Sequence, residues 1–449
     1  MNTLLTSKRE NDVHIHTTPT SAAAAGPPVL DAVWLRQICL DAGAEDVGFV
    51  ELERPALAEE RPHIERTFPR TRSLISFVLR MNRDNVRSPA RSVANTEFHH
   101  TGDEVNGVAR RITAALERAG VRALNPPMAF PMEADRWMTE RMWVVAHKPV
   151  AVAAGLGRMG IHRNVIHPRF GNFILLGTIL VGAEVSEYSR KLDYNPCLEC
   201  KLCVAACPVG AIGADGAFNF TSCYTHNYRE FMGGFADWVE NIADSRDGKD
   251  YRRRVKDSES VSMWQSLGFG PNYKAAYCMA VCPAGEDVIG AYLASKKDFA
   301  DDVMRPLQAK REPVYVVRGS DAETHVRRRY PHKTVRHVRG SLRSRSMAAL
   351  LQGMKVAFQR HAAGSLDATY HFVFTGSEPA EATVTIRAGK LAIEDGLVGE
   401  PRIKVTADSE TWLGFLAGER NLVWALLTRR VRLRGNPKWL LAFKRCFPS

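Results

Sequence analysis

Seven cysteines crowded between residues 197 and 282 constrain this chain more than any other feature of its sequence. Of the nine cysteines, only Cys39 and Cys446 stand apart. The clustered seven are Cys197, Cys200, Cys203, Cys207, Cys223, Cys278 and Cys282. Thiols concentrated in one segment are typical of a metal site rather than of disulfides. The two isolated cysteines lie in apolar helical patterns and are predicted to be core thiols.

The first four clustered cysteines have the spacing of an iron–sulfur motif. Cys197-x2-Cys200-x2-Cys203-x3-Cys207 is followed directly by Pro208. Three thiolates two residues apart on a tight loop can surround three irons of one cubane, while the fourth thiolate faces a second cluster. Zinc sites more often use separated pairs of thiolates. The run therefore predicts iron–sulfur clusters.

The second half of this motif is incomplete. The crossed arrangement assigns Cys282 to the first cluster and gives Cys207, Cys223 and Cys278 to the second. The position three residues before Cys278 holds Ala275, so the second cluster has three evident thiolates. We therefore predict one 4Fe-4S cluster and a second cluster that is either 4Fe-4S or 3Fe-4S.

Three alternatives remain for the second cluster. It is a 3Fe-4S centre, a 4Fe-4S centre with a ligand other than cysteine, or a 4Fe-4S centre with an open iron. His226 is the candidate for a ligand other than cysteine, although a purely structural role for this histidine is the simpler interpretation. An open iron would make the cluster a substrate site instead of an electron relay.

The composition is that of a globular protein, with 45% hydrophobic and 24% charged residues. No run of about 18 apolar residues exists, which predicts the absence of a membrane span. The first 30 residues carry charges and prolines without a hydrophobic signal core. A disordered leader over residues 1–29 and a cytoplasmic location are therefore expected.

The positive charge is concentrated in one segment. The net charge is +12, and Arg305–Arg345 carries 12 Lys and Arg residues against three Asp and Glu residues. A solvated basic connector over residues 301–345 is the prediction. A docking site for an acidic partner or RNA is the alternative.

Hydrophobic periodicity predicts three folded parts around this connector. The fold class is an α/β N-terminal domain, a ferredoxin-like iron–sulfur region with an insert, and a C-terminal α+β domain. The predicted boundaries are residues 30–190, 191–300 and 346–449. In the last part, the strands Thr369–Thr375 and Ala382–Arg387 show the clearest alternation.

The N-terminal part resembles a known superfamily. Ala154–Val181 reads AGLGRMGIHRNVIHPRFGNFILLGTILV and precedes the cysteine motif. This arrangement resembles the corrinoid iron–sulfur superfamily of epoxyqueuosine reductases and reductive dehalogenases, over roughly residues 30–300. Ile161 stands where the superfamily often has Lys or Arg. The resemblance implies a cobalamin on the α/β domain that takes electrons from the clusters and reduces an organic substrate.

The resemblance also indicates candidate site residues. The predicted cofactor-binding residues are Gly155, Gly157, Gly160 and His162. Glycines allow the backbone to approach a ligand closely, although a tight packing turn explains them equally simply. Glu140 stands near the place of the acid of the epoxyqueuosine reductases, and His147 is a further candidate proton donor.

Residues 346–449 resemble the sterol-carrier-protein type 2 family. The matching segments are VTADSETWLGFLAGERN and RRVRLRGNPKWLLAFKRCF. The resemblance implies a five-stranded sheet with helices around an apolar cavity, and places Trp412 on a helix facing a lipid tunnel. A filled cavity in a domain that only shields the site or dimerises is the alternative.

The leading hypothesis is an iron–sulfur oxidoreductase, namely a corrinoid-dependent reductase of a hydrophobic organic substrate, similar to reductive dehalogenases or epoxide reductases. One alternative is an electron-transfer and lipid-binding protein without its own catalytic centre. Another is a tRNA-modifying enzyme similar to epoxyqueuosine reductase. The expected partners are an electron donor (ferredoxin, flavodoxin or a reductase) and a hydrophobic small molecule or lipid. Nucleic acid is not expected, because the C-terminal domain replaces the tRNA-binding repeats of the family.

Overall fold

The computed structural model describes residues 28–133, 142–197, 199–339, 344, 346–416, 420 and 422–448. Within these ranges no helix is both long and apolar enough to cross a membrane. The larger hydrophobic cores lie in the N-terminal region, in the cysteine-rich region with the basic segment, and in the C-terminal region.

The N-terminal region mixes strands and helices around one sheet. Its strands are β1 (Val29–Leu30), β2 (Asp46–Glu51), β3 (Ser73–Arg80), β4 (Ala123–Leu124), β5 (Arg158–Met159), β6 (Val165–Ile166), β7 (Ile174–Val181) and β8 (Glu184–Val185). Its helices are α1 (Ala32–Asp41), α2 (Arg61–Thr67), α3 (Arg83–Arg87), α4 (Arg91–Arg118) and α5 (His147–Ala153). The sheet has the order β2-β3-β7-β4.

All pairings in this sheet are antiparallel. An α/β domain in the strict sense would have parallel strands joined by helical crossovers, so the predicted class is refined to a mixed fold with an antiparallel sheet. After residue 30 the chain forms the helix α1, turns at Gly43 with φ +104° and continues as the strand β2. The parallel pairing of β1 with β8 starts at Val29, inside the predicted leader.

The cysteine-rich region is helical. Its helices are α6 (Leu202–Ala206), α7 (Phe220–Asn227), α8 (Gly233–Ala243), α9 (Gly248–Arg254), α10 (Asp257–Phe269), α11 (Tyr277–Ala280), α12 (Gly290–Ala294), α13 (Lys296–Phe299) and α14 (Arg305–Ala309). The insert predicted in this region lies between Cys223 and Cys278 and corresponds to α8, α9 and α10.

The basic segment is a folded unit, which corrects the prediction of a solvated connector. It consists of β9 (Pro313–Val317), α15 (Asp321–Arg329) and β10 (Thr334–Val338), and the two strands pair in parallel. Val314, Val316 and Val326 are buried in the same core as Cys203. The arginines remain outside this core, so a strongly charged segment still packs through its valines.

The C-terminal region contains the five-stranded sheet that the sequence resemblance implied. Its strands are β11 (Ala368–Thr375), β12 (Ala380–Arg387), β13 (Lys390–Asp395), β14 (Ile403–Asp408) and β15 (Val431–Gly435), in the order β13-β12-β11-β14-β15. Its helices are α16 (Met347–Ala357), α17 (Arg360–Ala363), α18 (Ser409–Leu416), α19 (Leu422–Leu427) and α20 (Lys438–Cys446). Trp412 packs against Phe372 and Phe374, with ring centroids 6.0 Å apart in both pairs.

Candidate metal centre

Four of the seven clustered cysteines line one cleft. Cys197, Cys200, Cys203 and Cys282 surround a space of about 390 Å³ that is partly open to solvent, and His162 lies in the same wall. This is the set predicted for the first cluster. Among the described residues, no three His, Cys, Asp or Glu side chains form a group that could hold a single metal ion. Thiols spread around a larger space suit a multi-iron cluster.

The loop that carries three of these thiols is shaped by its backbone. Glu199 and Lys201 both adopt left-handed conformations, at φ +55° and +54°. These turns bring the chain around before α6 begins, so that successive thiols face the cleft. The backbone N–H of Ile161 donates to the Cys197 sulfur at 3.4 Å. Such N–H contacts are a common means of stabilising metal-bound thiolates.

The other three cysteines form a second group, drawn from three segments. Cys207 follows α6, Cys223 lies on α7 and Cys278 lies on α11. Burial raises the pKa of Cys223, and the neighbouring Cys278 and Cys207 raise it further. Burial and then Cys207 raise the pKa of Cys278 to about 12. The structure thus groups the three thiols predicted for the second cluster, and bound iron would displace their protons.

The second group lacks the ligand positions that the first group uses. Counting back from Cys282 with the spacing of the first motif reaches Ala275 and Asn272. Ala276 opens α11 at φ +52°, as Lys201 opens α6. Ala275 therefore corresponds to Cys200 in backbone geometry as well as in spacing. The equivalence of Asn272 with Cys197 was missed in the sequence analysis, although the same count would have found it.

Polar side chains fix the loop where these ligands are absent. The Asn227 side-chain oxygen accepts the N–H groups of Ala275 and Ala276 at 3.0 and 2.7 Å. The Glu230 carboxylate accepts the N–H of Asn272 at 3.0 Å and pairs with Lys274. The loop is thereby tied to the end of α7 and the turn after it, next to the segment that supplies Cys223.

His226 lies one helical turn after Cys223 on α7. Its Nδ1 accepts the N–H of Tyr315 at 3.4 Å, and its buried Nε2 has no hydrogen-bond partner among the described residues. Burial, together with the nearby Lys274, Lys333 and Arg229 charges, lowers the pKa of His226 to about 3. Because Nδ1 accepts a hydrogen bond, the proton of the neutral imidazole is on Nε2, and metal binding through Nε2 would require the other tautomer or loss of that proton. Ligation by His226 remains a prediction.

The predicted cofactor glycines are explained by packing within the chain. A Cβ on Gly157 would lie 2.5 Å from the carbonyl oxygen of Ile166, and one on Gly160 would lie 2.8 Å from the His162 ring. Gly155 has φ +75°, and its Cβ would lie 2.4 Å from the Arg190 carbonyl oxygen. The space beside these glycines is occupied by neighbouring residues of the protein. This favours the packing turn over a cradle for cobalamin.

The two predicted histidines are both hydrogen-bonded. His147 contacts the Thr178 hydroxyl through Nδ1 at 2.9 Å and the Pro127 carbonyl through Nε2 at 3.1 Å. His162 Nδ1 accepts the N–H of Asn164 at 3.1 Å. Burial and then the Lys148 charge lower the pKa of His162 to about 4. His147 has no ring nitrogen left for a substrate in this arrangement, so its catalytic role stays a prediction without further support.

Glu140, the predicted acid, lies outside the described residues. The two isolated cysteines are buried, as predicted for core thiols. Burial raises the pKa of Cys39 to about 12 and that of Cys446 to about 11. Lys148 is a residue that the sequence analysis missed. It is the second residue of α5, and its charge interacts with Cys278 and Cys223.

Comparison with known proteins supports the cysteine assignment at the level of the motif. The family described as "4Fe-4S binding domain" matches residues 191–213. An epoxyqueuosine reductase from Listeria monocytogenes is 27% identical over 198 residues, covering 43% of this chain and 49% of the relative. Another from Vibrio cholerae is 32% identical over 91 residues, covering 20% and 24%. The predicted resemblance to epoxyqueuosine reductases is confirmed. The chain spans half or less of the length of these curated relatives.

Solved structures give weaker likenesses. The epoxyqueuosine reductase of Streptococcus thermophilus matches 62% of this chain and 79% of its own, at 16% identity and a TM-score of 0.35. The catabolic reductive dehalogenase NpRdhA matches 40% and 25%, at 16% identity and a TM-score of 0.32. A palmitated SCP2L2 from Aedes aegypti matches 22% and 94%, at 18% identity and a TM-score of 0.19. TM-scores this low carry no weight for the assignments below.

Proposed function

We propose that this protein is an iron–sulfur reductase in which two clusters conduct electrons from an external donor to an organic substrate. The observation that supports this is the division of seven thiols into four around one cleft and three in a second group, of which Cys207 is buried and the other two are half-buried. This division matches the crossed ligand set of two-cluster ferredoxins. The clusters would supply single electrons, and the chain would supply thiolates, backbone donors and a buried site.

The residues fit the two clusters unequally. Cys197, Cys200, Cys203 and Cys282 provide a complete thiolate set for a first 4Fe-4S cluster. The second set has three thiolates, which suits a 3Fe-4S cluster, a 4Fe-4S cluster with His226 as its fourth ligand, or a 4Fe-4S cluster with an open iron. Of these, only the open iron would accept a substrate directly.

The curated relatives favour reduction of an epoxide on a modified nucleoside over dehalogenation. Those relatives carry the name epoxyqueuosine reductase. Reductive loss of an epoxide oxygen consumes two electrons and two protons and releases water, which suits a protein that receives single electrons from a ferredoxin or flavodoxin. The proposal therefore includes a tRNA substrate, in place of the expectation that nucleic acid is not a partner.

The folded basic unit offers such a substrate a surface near the cysteines. Arg327 on α15 is 59% exposed. On the same helix, His325 contacts the carbonyl of Cys207 at 3.3 Å. Cationic side chains contribute to nucleic-acid affinity through contacts with phosphates. A phosphate backbone bound on α15 would therefore lie close to the second thiol group.

Cobalamin has no support from the predicted glycines, because the space beside them is filled by protein. No step of the proposed reaction is therefore assigned to a corrinoid. The dehalogenase-like hypothesis is the weaker candidate because the curated relatives carry the name epoxyqueuosine reductase. A lipid or flat hydrophobic substrate held by the C-terminal region is a separate candidate. Its support is the five-stranded sheet. The packing of Trp412 against Phe372 and Phe374 argues against a lipid tunnel at that residue.

The test is an anaerobic preparation analysed for iron, sulfide and corrinoid, followed by turnover with a chemical reductant. Substrates to compare are epoxyqueuosine-containing tRNA and a halogenated phenol. We expect iron and sulfide sufficient for two clusters. We also expect conversion of the tRNA substrate and no conversion of the halogenated phenol. A preparation that holds zinc, or iron for only one cluster, contradicts the proposal. Conversion of the halogenated phenol with added cobalamin would instead establish the dehalogenase-like alternative.

A further inference from the structure

The last part of the C-terminal region is strongly basic and has no acidic residue. Residues 421–448 contain seven Lys and Arg residues and no Asp or Glu. All seven are exposed, namely Arg429, Arg430, Arg432, Arg434, Lys438, Lys444 and Arg445. No ion pair among the described residues includes any of them, whereas Arg360 and Arg387 of the same region pair with Asp215 and Asp367. Cations without a paired carboxylate give a positive surface potential, which attracts an anionic partner.

Large apolar side chains are exposed among these cations. Trp424 and Leu427 on α19 are 53% and 78% exposed, and Leu441 on α20 is 66% exposed. Leu441 follows Lys438 by three residues and precedes Arg445 by four, so these three side chains share one face of the helix. The surface therefore combines apolar and cationic groups at close spacing.

The helices that carry these side chains cover one face of the C-terminal sheet. On α20, the ring of Phe443 lies 4.9 Å from that of Tyr370 and 5.2 Å from that of Phe372. Trp412 on α18 packs against the same Phe372, and Ala425 on α19 is buried in the same core. The exposed sides of α19 and α20 therefore face away from the sheet, in one helical layer.

We call the exposed side of α19 and α20, with the two arginines that follow α19, the basic apolar surface. It comprises Trp424, Leu427, Arg429, Arg430, Lys438, Leu441, Lys444 and Arg445. Arg430 lies over the Trp424 ring at 5.6 Å, so a cation and an exposed aromatic ring are in direct contact there.

We propose that the basic apolar surface binds the face of an anionic lipid bilayer. Apolar side chains enter the boundary between headgroups and acyl chains, and cations contact the anionic headgroups. The two contributions together give stable binding where either one alone is weak. The inference goes beyond the proposed reduction and does not depend on the clusters.

The exposed leucines favour a bilayer over a nucleic acid as the anionic partner. Phosphates of a nucleic acid are bound by cationic and polar groups, so RNA would use the cations and leave Leu427 and Leu441 without a suitable contact. An aromatic ring such as that of Trp424 can stack on a base, but a leucine cannot. A bilayer gives all three side chains an apolar environment.

The test is co-sedimentation of the full chain with lipid vesicles. One set of vesicles is phosphatidylcholine alone, and the other is an equal mixture of phosphatidylcholine and phosphatidylserine. We expect binding to the mixed vesicles that is at least about tenfold tighter than to phosphatidylcholine alone. Added salt should weaken the binding to the mixed vesicles, because it screens the headgroup charges from the cations.

The apolar contribution is tested by the double variant Leu427→Gln and Leu441→Gln. It should bind the mixed vesicles about tenfold more weakly, because two side chains no longer enter the bilayer. Leu267→Gln is the matched control, since Leu267 on α10 is 66% exposed, as Leu441 is. It should leave the affinity within about twofold of that of the unaltered chain.

The cationic contribution is tested by the double variant Lys438→Gln and Arg445→Gln. It should also bind the mixed vesicles about tenfold more weakly, and its binding should depend less on salt. Arg387→Gln with Lys390→Gln is the matched control. These two residues are exposed on β12 and β13, at the opposite edge of the sheet from β15, and their replacement should leave the affinity unchanged.

Absence of binding to the mixed vesicles overturns the inference. So does vesicle binding that both double variants retain in full. Loss of binding in Leu267→Gln overturns it as well, because the lipid contact would then lie on α10. If labelled tRNA binds, vesicles do not, and the Lys438 and Arg445 double variant weakens the tRNA binding, the surface is a nucleic-acid surface instead. Sedimentation does not measure the clusters, so a failure of the proposed reductase function would leave these outcomes distinguishable.

Discussion

The two thiol groups of this protein are built in different ways. The first takes three of its four cysteines from one short loop, and the shape of that loop is set by left-handed residues at 199 and 201. The second takes its three cysteines from three separate segments, and polar contacts to Asn227 and Glu230 hold the loop where further ligands are absent. A site made by one loop depends on local sequence, whereas a site made by distant segments depends on the packing that brings them together.

The largest test of this difference is removal of one thiol from each group. Cys278→Ser leaves two thiolates in the second group, so we expect loss of that cluster and of about half of the iron and sulfide. Cys203→Ser leaves three thiolates in the first group, so a converted cluster should remain there. Metal analysis and electron paramagnetic resonance of anaerobic protein distinguish the two outcomes.

Cys446→Ser is the control for these variants, because Cys446 is buried in the C-terminal core and donates from sulfur to the Ala442 carbonyl, a bond that serine can also make. It should keep all of the iron. Equal iron loss in the Cys203 and Cys278 variants would show that the two groups form one interdependent site.

Restoring the missing ligand should make the second group resemble the first. Ala275 is 5% exposed and matches Cys200 in position and in the backbone that follows it. Ala275→Cys should therefore supply a fourth thiolate and convert a 3Fe-4S or open-iron centre into a cluster with four cysteines. The measurement is the electron paramagnetic resonance spectrum of oxidised and reduced protein.

Ala276→Cys is the matched control, since it adds the same sulfur one residue later, at the left-handed position that opens α11. Its spectrum should equal that of the unaltered chain. If Ala275→Cys also leaves the spectrum unchanged, the second cluster already has four strong ligands, and His226 becomes the principal candidate for the fourth.

The polar network that holds the second loop should contribute strongly to stability. The Glu230 carboxylate has no exposed side-chain surface and accepts hydrogen bonds from Asn272, Ser262 and Ser266 besides pairing with Lys274. Glu230→Gln leaves the lysine uncompensated, which costs about 3–5 kcal/mol for a buried pair. The temperature at which visible cluster absorbance is lost should fall. Glu53→Gln, at a carboxylate that is 70% exposed, should change stability by less than about 1 kcal/mol.

The Glu230 carboxylate also makes the stability of the protein depend on pH. Burial alone would raise the pKa of Glu230, but the Lys274 charge and the two serine hydroxyls bring this pKa below its usual value of 4.5. A group whose pKa is lower in the folded state stabilises fully above its unfolded pKa and loses that contribution as the pH falls through the folded pKa. Thermal stability should therefore decline below about pH 4.5, and less steeply in Glu230→Gln. An unchanged acid dependence in that variant would assign the decline to other groups.

Much of the fold and of the first group could be predicted from sequence because both depend on local patterns. The cysteine spacing gave the first ligand set, and alternating residues gave the strands β11 and β12. The prediction of a solvated connector was wrong because it rested on the high charge of the basic unit. The valines at 314, 316 and 326 are buried and hold the unit in the core. Lys148 could not be predicted, since its charge interacts with Cys223 and Cys278, which are far away in the chain.

The glycine segment near the first group offers a smaller test. A Cβ at Gly157 would meet the backbone of Ile166 at 2.5 Å, so Gly157→Ala should cost about 1–3 kcal/mol by overpacking. The loss should be the same with and without cobalamin if packing alone explains the glycine. Gly268→Ala, on α10 where nothing lies within 4 Å, should instead stabilise by about 0.5–1 kcal/mol. Thermal unfolding with and without added cobalamin measures both, and protection by cobalamin that Gly157→Ala abolishes would restore the cofactor interpretation.

The smallest expected effect concerns the basic unit that supports the second group through its contact with Cys207. Glu323 on α15 accepts the Gly319 N–H at 2.7 Å and pairs with Arg327 and His337. Burial opposes ionisation here, but these partners lower the pKa of Glu323 to about 2. Glu323→Gln should therefore cost up to about 1 kcal/mol at neutral pH, and the difference from the unaltered chain should shrink as the pH falls from 4.5 towards 2.

Because α15 contacts the Cys207 loop, the Glu323 variant should release iron from the second group slightly sooner on warming, while the first group is unaffected. Glu394→Gln, on the exposed face of β13 in the C-terminal region, is the control and should change neither rate. Earlier loss from the first group would mean that the basic unit supports both sites equally. The basic unit would then not distinguish the first thiol group from the second, even if the cysteine variants behave as expected.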